Sequence, residues 1–529
     1  MPHSMTRAAH GRRDPSAPAR MLARLALLVV LPWLTHCATA PSLEGVEPSY
    51  ALPPAATAGL DAAVLGELGG SPDVNGVRLV EQNAMAFAYR ASTAAAAERS
   101  LDVQYYIWND DLTGRLLAAE VLRAAERGVR VRVMVDDIDA RAKHDVFLVA
   151  DLHPNIEVRL FNPFPVRRPR LIGYLTDFPR LNQRMHNKSF TADNQATIVG
   201  GRNVGDEYFG ATAEVEFVDL DVLAVGPVVR EVSDDFDRYW ASASSYPADR
   251  LLPPADPASI DALGAADARI GNDPAAAAYV RALRESPFVG ELIAGRAGLE
   301  WAATRLVSDD PAKGLGRAAP NGQLPEKLAQ IIGASATHVE LVSAYFVPTA
   351  AGVDAFAALA KRGVKIRVLT NSLEATDVTA VHAGYAKRRK PLLDAGVLLY
   401  ESKRVSPNVR IDRHTGLTGS SASSLHAKTF AVDRARLFVG SFNFDPRSAR
   451  LNTELGFVID SPVLAQQIEA AFDGRIPETA YEVRLENGRL YWLERRDGQL
   501  FRHDTEPGTG PGLRTGVWLM SVLPIEWLL

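Results

Sequence analysis

The sequence predicts an α/β protein of two similar lobes, each a mixed β-sheet flanked by helices, related to each other by a pseudo-twofold axis. Three observations support this prediction. A polar motif occurs twice, 240 residues apart; a strand, helix and strand precede each copy; and apolar residues alternate along the predicted strands. The chain has 529 residues, of which 47% are hydrophobic, so it is long enough to form two such cores.

The repeated motif has the form His-x-Lys-x4-Asp-x6-Gly-(Gly or Ser)-x-Asn. Its two copies consist of His186, Lys188, Asp193 and Asn203, and of His426, Lys428, Asp433 and Asn443. The apolar residues around these positions predict two short strands joined by a turn in each copy. In a strand, a His and a Lys two positions apart point to the same face of the sheet.

These residue types suit attack on a phosphate. A neutral imidazole can supply a nucleophile or a proton, while the neighbouring ammonium holds the anionic oxygens. The glycine turn is expected to bring backbone N–H groups, and the amides of Asn203 and Asn443, to the same oxygens. A phosphodiester site needs a nucleophile and an acid at once, which two copies can supply. We therefore expect His186 and His426 to converge on one phosphate.

The elements before each motif follow the same order. In the first half, a strand at Val103–Ile107 is followed by a helix at Leu116–Arg127 and a strand from Val129. In the second half, a strand from Leu341 is followed by a helix at Val353–Arg362 and a strand from Val364. Strand, helix and strand in this order predict a βαβ unit with parallel strands in each lobe.

The two motifs resemble the HKD motifs of the phospholipase D superfamily in its two-motif, single-chain form. The stretches Asn203–Phe209 and Ser441–Glu454 are most similar to the cardiolipin synthase C branch of Gram-negative bacteria. The resemblance implies that the His and Lys of both copies are catalytic. Asp193 and Asp433 complete the catalytic motifs, as structural ties beneath the turns rather than as proton carriers.

A further acidic pair occurs in the repeat. Glu214 and Glu454 each lie 28 residues after their motif histidine and open an apolar run. A carboxylate on the far nitrogen of an imidazole fixes its tautomer and stabilises its cation. The resemblance implies this His-orienting role for both glutamates. The alternative interpretation is that they are solvent-facing strand residues.

The resemblance implies a membrane-associated phosphatidyltransferase that makes cardiolipin from phosphatidylglycerol plus phosphatidylglycerol or phosphatidylethanolamine, through a phosphohistidine intermediate. If water is the acceptor, the enzyme is instead a phospholipase D. A nuclease and a non-catalytic lipid-binding scaffold are further alternatives. We expect no cofactor and no metal, because two lysines supply the positive charge, and we expect the active site to lie within one chain. The net charge of −5 argues against a nucleic-acid partner.

The amino-terminal segment predicts export. Basic residues precede an apolar run at Leu22–Leu34, which is too short to span a bilayer comfortably. The run leads to Cys37, the only cysteine of the chain, in a sequence that resembles a bacterial lipobox. His36 departs from that pattern, so plain cleavage and an uncleaved anchor remain alternatives to lipidation. The expected location is the periplasmic face of a Gram-negative envelope, anchored to a membrane.

These observations predict five segments. They are a signal peptide or lipoprotein anchor (1–37), a first lobe (60–252), a helical connecting region (253–330), a second lobe (331–475) and a β-meander with an apolar tail (476–529). The tail contains Trp518 and Trp527, which suit a membrane interface. Packing of the tail onto the lobes is the alternative.

Overall fold

The computed structural model describes residues 41–53, 74–139, 150–167, 169–212, 215–254, 298–319, 321–404 and 422–529, with five single positions between 256 and 291. The predicted anchor with Cys37, the start of the first lobe, most of the connecting region and Glu214 lie outside these ranges. Residues 43–163 and 179–529 form one unit, and residues 164–178 belong to a second.

The strands are β1 (Asn75–Val80), β2 (Ser100–Tyr105), β3 (Arg130–Asp136), β4 (Ile156–Phe161), β5 (Ser189–Ala192), β6 (Ala196–Gly200), β7 (Val215–Val218), β8 (Asp221–Val225), β9 (Ser245–Pro247), β10 (Glu300–Ser308), β11 (His338–Ser343), β12 (Lys365–Asn371), β13 (Leu398–Ser402), β14 (Ala422–Leu425), β15 (Lys428–Val432), β16 (Arg436–Gly440), β17 (Leu455–Asp460), β18 (Ala480–Glu486), β19 (Arg489–Arg496) and β20 (Gln499–His503).

The helices are α1 (Asn83–Ala96), α2 (Leu112–Glu126), α3 (Arg170–Leu181), α4 (Asp206–Phe209), α5 (Val228–Trp240), α6 (Leu324–Gly333), α7 (Thr349–Lys361), α8 (Thr379–Ala386), α9 (Arg389–Asp394), α10 (Pro446–Arg450), α11 (Pro462–Asp473), α12 (Arg475–Thr479) and α13 (Pro511–Val522). Short 3-10 turns lie at Asp137–Asp139, Ala248–Arg250, Pro311–Leu315 and Glu526–Leu528.

One large sheet runs through both halves of the larger unit. Its strands follow the order β9, β4, β3, β2, β5, β6, β8, β1, β10, β17, β16, β15, β11, β12, β13, β18, β19, β20. The antiparallel pair β1 and β10 lies at the centre, with Asn75 opposite Ala302. On either side of the junction between these two strands, equivalent strands appear in mirrored order, which confirms the predicted pair of similar α/β halves.

The predicted βαβ units are present in both halves. Strands β2 and β3 are parallel and joined by α2, and strands β11 and β12 are parallel and joined by α7. Motif strands β5 and β15 pair antiparallel with β2 and β11, so each half has a mixed sheet, as predicted. Each half has its own apolar cluster, centred on residues such as Val103 and Phe190 in the first and Leu341 and Phe430 in the second.

Strand β10 lies inside the segment predicted to connect the lobes. It pairs with β17 as well as with β1, so this stretch is part of the central sheet. After the second motif half, β18, β19 and β20 form an antiparallel meander with Asn487-Gly488 and Asp497-Gly498 at its turns, all at positive φ. The predicted five-segment boundaries remain predictions.

The second unit contains most of α3. Its residues pack on one another through rings: the Arg170 guanidinium lies 4.6 Å from the ring centre of Phe164, and Tyr174 lies 5.2 Å from the same ring. The helix is kinked at Asp177, close to Pro179. Among the described helices, none is long and apolar enough to cross a membrane.

Candidate active site

Two short strand pairings bring each motif histidine to the other half of the molecule. Strands β7 and β14 pair in parallel, with Val218 opposite Leu425, so Asp219 and His426 follow side by side. On the other side of the site, a parallel bridge joins Met185 to Thr453, the residues directly before His186 and Glu454. The backbone N–H of His186 donates to the Thr453 carbonyl at 2.9 Å. The fold thus joins the two motifs through crossed contacts.

Each imidazole bonds to a buried carboxylate from the opposite half. His186 Nδ1 lies 2.8 Å from Glu454 Oε2, and His426 Nδ1 lies 2.5 Å from Asp219 Oδ2. All four side chains are buried. A carboxylate on Nδ1 favours the tautomer with the proton on that nitrogen, which leaves Nε2 free to react.

Asp219 is a site residue that sequence reasoning missed. In the second half, Gly440 of the motif pairs with Gly456, two residues after Glu454; in the first half, Gly200 pairs with Asp221, two residues after Asp219. Asp219 is therefore the structural counterpart of Glu454. Strand β7 is inserted before it, so a constant spacing of 28 residues instead leads to Glu214, whose role remains a prediction.

A sequence signal for Asp219 did exist. Asp219-Leu220 leads into the apolar residues of β8 as Glu454-Leu455 leads into those of β17. Matching the acidic residue to its strand, rather than to the distance from the histidine, identifies it.

The Gly-to-Ser difference between the motifs has a structural reason. A Cβ on Gly201 would lie only 2.1 Å from Asp219 Oδ1, so glycine is required there. At the equivalent position, Ser441 Oγ donates to Glu454 Oε2 at 2.5 Å. The second half therefore holds its carboxylate by a side-chain hydrogen bond for which the first half has no room.

The two motif lysines are buried behind the imidazoles. Lys188 Nζ donates to the carbonyl of His186 at 2.6 Å, and Lys428 Nζ donates to the carbonyl of His426. Burial lowers the pKa of Lys188 to about 7 and that of Lys428 to about 8. A bound phosphate anion would favour the charged form of both lysines.

The two orienting carboxylates differ in charge state. Burial raises the pKa of Glu454 to about 7, although the charge of Lys188 and the Ser441 hydrogen bond act to lower it. Burial also acts to raise the pKa of Asp219, but the charges of His426 and Lys428 hold it well below its usual range. Asp219 is consequently ionised at neutral pH, whereas Glu454, with a pKa of about 7, is divided between its ionised and protonated forms.

Both imidazoles are held in the neutral form by their surroundings. Burial and the charges of Lys188, Lys428 and His426 lower the pKa of His186 well below its ordinary value. Burial and Lys428 also lower the pKa of His426, while Asp219 opposes this shift. The charged groups of each motif therefore act on the histidine of the other.

The motif asparagines bridge to the neighbouring strand ends. Asn203 Oδ1 accepts from the Ile107 N–H at 3.2 Å, and Asn443 Oδ1 accepts from the Tyr345 N–H at 3.4 Å. Asn203 Nδ2 also donates to Tyr208 at 3.0 Å. Both amides are buried beside the motifs, and phosphate binding by them remains a prediction.

The expectation that the glycine turn offers its backbone N–H groups to the phosphate is wrong for two of them. The Gly201 N–H donates to the Leu220 carbonyl at 3.2 Å, and the Ser441 N–H donates to the Leu455 carbonyl at 2.9 Å. These groups complete the sheet and are not available for an anion.

The motif aspartates lie at the far ends of the motif strands. Asp193 accepts from the N–H groups of residues 98–100 at 2.8 to 2.9 Å, and Asp433 accepts from those of residues 336–338 at 2.8 to 3.0 Å. Both residues adopt positive φ in the hairpin turn. The carboxylates therefore attach the turn to the start of β2 and of β11.

Aromatic rings line the histidines. Tyr106 packs edge-on against His186 at 5.0 Å, while Tyr208 and Phe217 pack against His426 at 5.3 and 5.0 Å. They limit water access and hold the imidazole planes. Within the described ranges, no three His, Cys, Asp or Glu side chains are arranged to hold a metal ion.

We compared the chain with known protein families and with curated proteins. The family described as "Cardiolipin synthase, PLD-like domain" matches the chain twice, over residues 92–240 and 328–476, and each match contains one motif. Cardiolipin synthase C of Escherichia coli (strain K12) is 48% identical over 471 residues, which cover 89% of this chain and 99% of that protein.

The chain is also similar, at lower identity, to a second curated protein and to a solved structure. Cardiolipin synthase A of Pseudomonas syringae pv. syringae (strain B728a) is 26% identical over 89% of this chain and 81% of that protein. Among solved structures, phosphatidylserine synthase of Haemophilus influenzae Rd KW20 is similar in fold, with a TM-score of 0.56 and 12% identity, covering 88% of this chain and 100% of that one.

Proposed function

The chain belongs to the phospholipase D-like cardiolipin synthase family, and on this premise we propose that it is a phosphatidyltransferase that makes cardiolipin. The observation that carries the proposal is the crossed pairing of two motif histidines with buried carboxylates, at 2.8 and 2.5 Å. A phosphodiester exchange needs one nucleophile and one acid in a single site, and this arrangement supplies both.

The first step transfers the phosphatidyl group to the enzyme. Nε2 of neutral His186 attacks the phosphorus of phosphatidylglycerol or phosphatidylethanolamine, and the bond from phosphorus to the headgroup oxygen breaks. The negative charge of the bound phosphodiester favours the protonated form of His426. This cation gives its proton to the headgroup oxygen, so glycerol or ethanolamine leaves. Lys188 and Lys428 hold the non-bridging oxygens and offset the charge that develops in the transition state.

The second step releases the product. The headgroup hydroxyl of a second phosphatidylglycerol replaces the departed alcohol and gives its proton to His426. Its oxygen bonds to phosphorus, the bond to His186 Nε2 breaks, and cardiolipin is released with His186 neutral again. Exclusion of water by the surrounding rings favours an alcohol acceptor over hydrolysis.

The difference between the two carboxylates supports this division of roles. The histidine that carries protons becomes a cation in each cycle, so it benefits from a partner that is always ionised. Asp219 meets this requirement for His426 because its pKa is held well below the usual range. His186 is neutral before attack and needs an anionic partner only once it has bonded to phosphorus, so a partner with a pKa of about 7, as Glu454 has, is sufficient.

The substrates lie in bilayers, so the proposed enzyme acts at a membrane surface. The carboxyl-terminal segment supports this part of the proposal. One face of α13 packs on the second half through Val517, whereas Trp518, Leu519 and Val522 are exposed. Between residues 507 and 525 the only charged side chain is Arg514, so no carboxylate opposes approach to an anionic bilayer.

The tail is also attached next to the second motif. The Arg447 N–H, just after that motif, donates to the Leu529 carbonyl at 2.7 Å, and Glu526 pairs with Arg388 at 2.8 Å. Exposed apolar side chains on this tail would therefore place the active site near the lipid surface. We further propose that the chain is a periplasm-facing lipoprotein attached through Cys37. Mass spectrometry of the mature amino terminus tests this, because a diacylglyceryl cysteine and an unmodified cleavage product differ in mass.

Product analysis tests the proposed reaction. Purified protein is added to vesicles of phosphatidylglycerol and phosphatidylethanolamine, and lipids are identified by mass spectrometry, with His186→Ala as control. Cardiolipin made by the wild type alone supports the proposal. Phosphatidic acid without cardiolipin would identify a hydrolase, and the same product pattern from wild type and His186→Ala would refute the mechanism.

A further inference from the structure

A buried Asp-Lys pair supports Glu454 from behind. The segment after β10 runs antiparallel beside the start of β17, with Ser308 opposite Leu455, so Asp309 lies beside Glu454. The Asp309 N–H donates to the Glu454 carbonyl at 3.0 Å, and the Glu454 N–H donates to Asp309 Oδ2 at 3.1 Å. The backbone of Glu454 is therefore fixed on both sides by one residue.

Lys313 completes this arrangement one helical turn later. Its Nζ donates to Asp309 Oδ2 at 2.8 Å and to the Ser448 carbonyl at 3.1 Å, and its side chain is only 7% exposed. Burying an ammonium is costly unless nearby groups need its charge. Asp309 is one such group, but its second oxygen already accepts from the Leu324 N–H.

Glu454 is the other group that needs a cation. Its Oε2 carries the bonds to His186 and Ser441, whereas its Oε1 is buried without a hydrogen-bond partner. Burial raises the pKa of this carboxyl; the charge of Lys188 and the hydrogen bond from Ser441 lower it, and the charge of Lys313 lowers it further.

In the first half, a residue of the motif itself places a positive charge near the orienting carboxylate. Arg202, two residues after Gly200, donates to the Asp219 carbonyl at 2.7 Å and its charge lowers the pKa of Asp219. The equivalent residue in the second half is Phe442, which carries no charge. The second motif thus has no charged residue at the position of Arg202, and the charge of Lys313, from outside the repeat, acts on Glu454 together with that of Lys188.

We propose that Lys313, held by Asp309, is a positioning residue that keeps Glu454 ionised and aligned on His186. The inference rests on the proposed transferase reaction, because Glu454 matters to turnover only if His186 is catalytic. It assigns a role in the reaction to the Asp309–Lys313 segment, which lies outside both motifs.

The pH dependence of kcat tests the proposal. If removal of the charge raises the pKa of Glu454 by about one unit, the ionised fraction at pH 7 falls about fivefold. We expect cardiolipin formation by Lys313→Gln and Lys313→Met to fall by about that factor at pH 7 relative to wild type, and the ratio to return toward one near pH 9. Lys313→Arg keeps the charge and should stay close to wild type across the range.

Two controls separate this role from a purely structural one. Lys327→Met removes a neighbouring ammonium that bonds to the Ser308 carbonyl at 3.2 Å, and it should leave the profile unchanged. In a Glu454→Gln background, Lys313→Gln should cause no further loss, because no carboxylate remains to be ionised.

A Lys313→Gln to wild-type ratio that does not change with pH, or an undiminished loss in the Glu454→Gln background, would overturn the proposal. If Lys313→Met does not fold, as judged by thermal melting, the smaller change Lys313→Gln carries the test. A wild-type protein that makes no cardiolipin would instead count against the proposed function.

Discussion

Asp219 and Glu454 occupy equivalent places in the two halves, each on the imidazole of the other half. We expect Asp219→Asn to lower kcat by roughly 100-fold or more, because His426 loses the anion that stabilises its cation. Product formation at pH 7 measures the effect, with circular dichroism as a check on folding. If the constant spacing of the repeat identified the orienting residue instead, Glu214→Gln would cause this loss and Asp219→Asn would not.

The pKa values of Glu454 and Lys188 predict a bell-shaped pH profile. Both are near 7, from burial in each case, so activity should fall as Glu454 gains a proton below this pH and as Lys188 loses one above it. The profile of kcat/KM for the free enzyme between pH 5.5 and 9 measures this. Constant kcat/KM across that range would contradict the assignment of both groups.

The Lys188→Arg variant tests the acidic and alkaline sides of the pH profile separately. Arginine stays charged at every pH in this range, so the fall on the alkaline side should move upward, to the region where Lys428 titrates with a pKa of about 8. The acidic limb should not move. A shift of the acidic limb alone would mean that Lys188 acts only through Glu454.

At the scale of elements, the motif aspartates are expected to serve stability. Asp433 accepts three backbone N–H groups from residues 336–338, so Asp433→Ala should lower the free energy of unfolding by about 1 to 3 kcal/mol. Urea unfolding measures this change, and kcat per folded molecule should stay near the wild-type value. A large loss of kcat with unchanged stability would place Asp433 in the chemistry.

The carboxyl-terminal helix is expected to bind vesicles. Replacing Trp518 and Trp527, which are 63% and 51% exposed, by serine should weaken sedimentation with anionic vesicles at least tenfold, because each ring loses its interfacial site. Turnover of dispersed short-chain lipids should be retained.

Leu500→Ser is the matched control for the tail, since Leu500 is 62% exposed but lies on the meander. It should leave vesicle binding unchanged. Equal weakening by both variants would mean that exposed apolar area in general, rather than the tail, determines binding.

At the scale of the whole molecule, the crossed pairing forms between the two halves of one chain. The central sheet joins them through β1, β10 and β17, and each half contributes one histidine and the carboxylate of the other. Mixtures of His186→Ala and His426→Ala proteins should therefore remain as inactive as either variant alone. Recovery of activity on mixing would show that functional sites form between chains.

Periodicity and repetition in the sequence determined much of this protein. Alternating apolar residues and the 240-residue repeat are local signals, and they predicted two α/β halves, the parallel βαβ units and the motif histidines and lysines. They predicted these features because strand direction and the choice of face depend on residues close together in the chain.

Only the tertiary structure decided which residues from different halves meet. The inserted strand β7 moves the orienting carboxylate to Asp219, and its parallel pairing with β14 carries that residue to His426. Likewise, Lys313 and Glu454 are 141 residues apart in sequence, and the pairing of β10 with β17 brings their segments together. Such contacts depend on strand order across the sheet, which no local pattern of residues encodes.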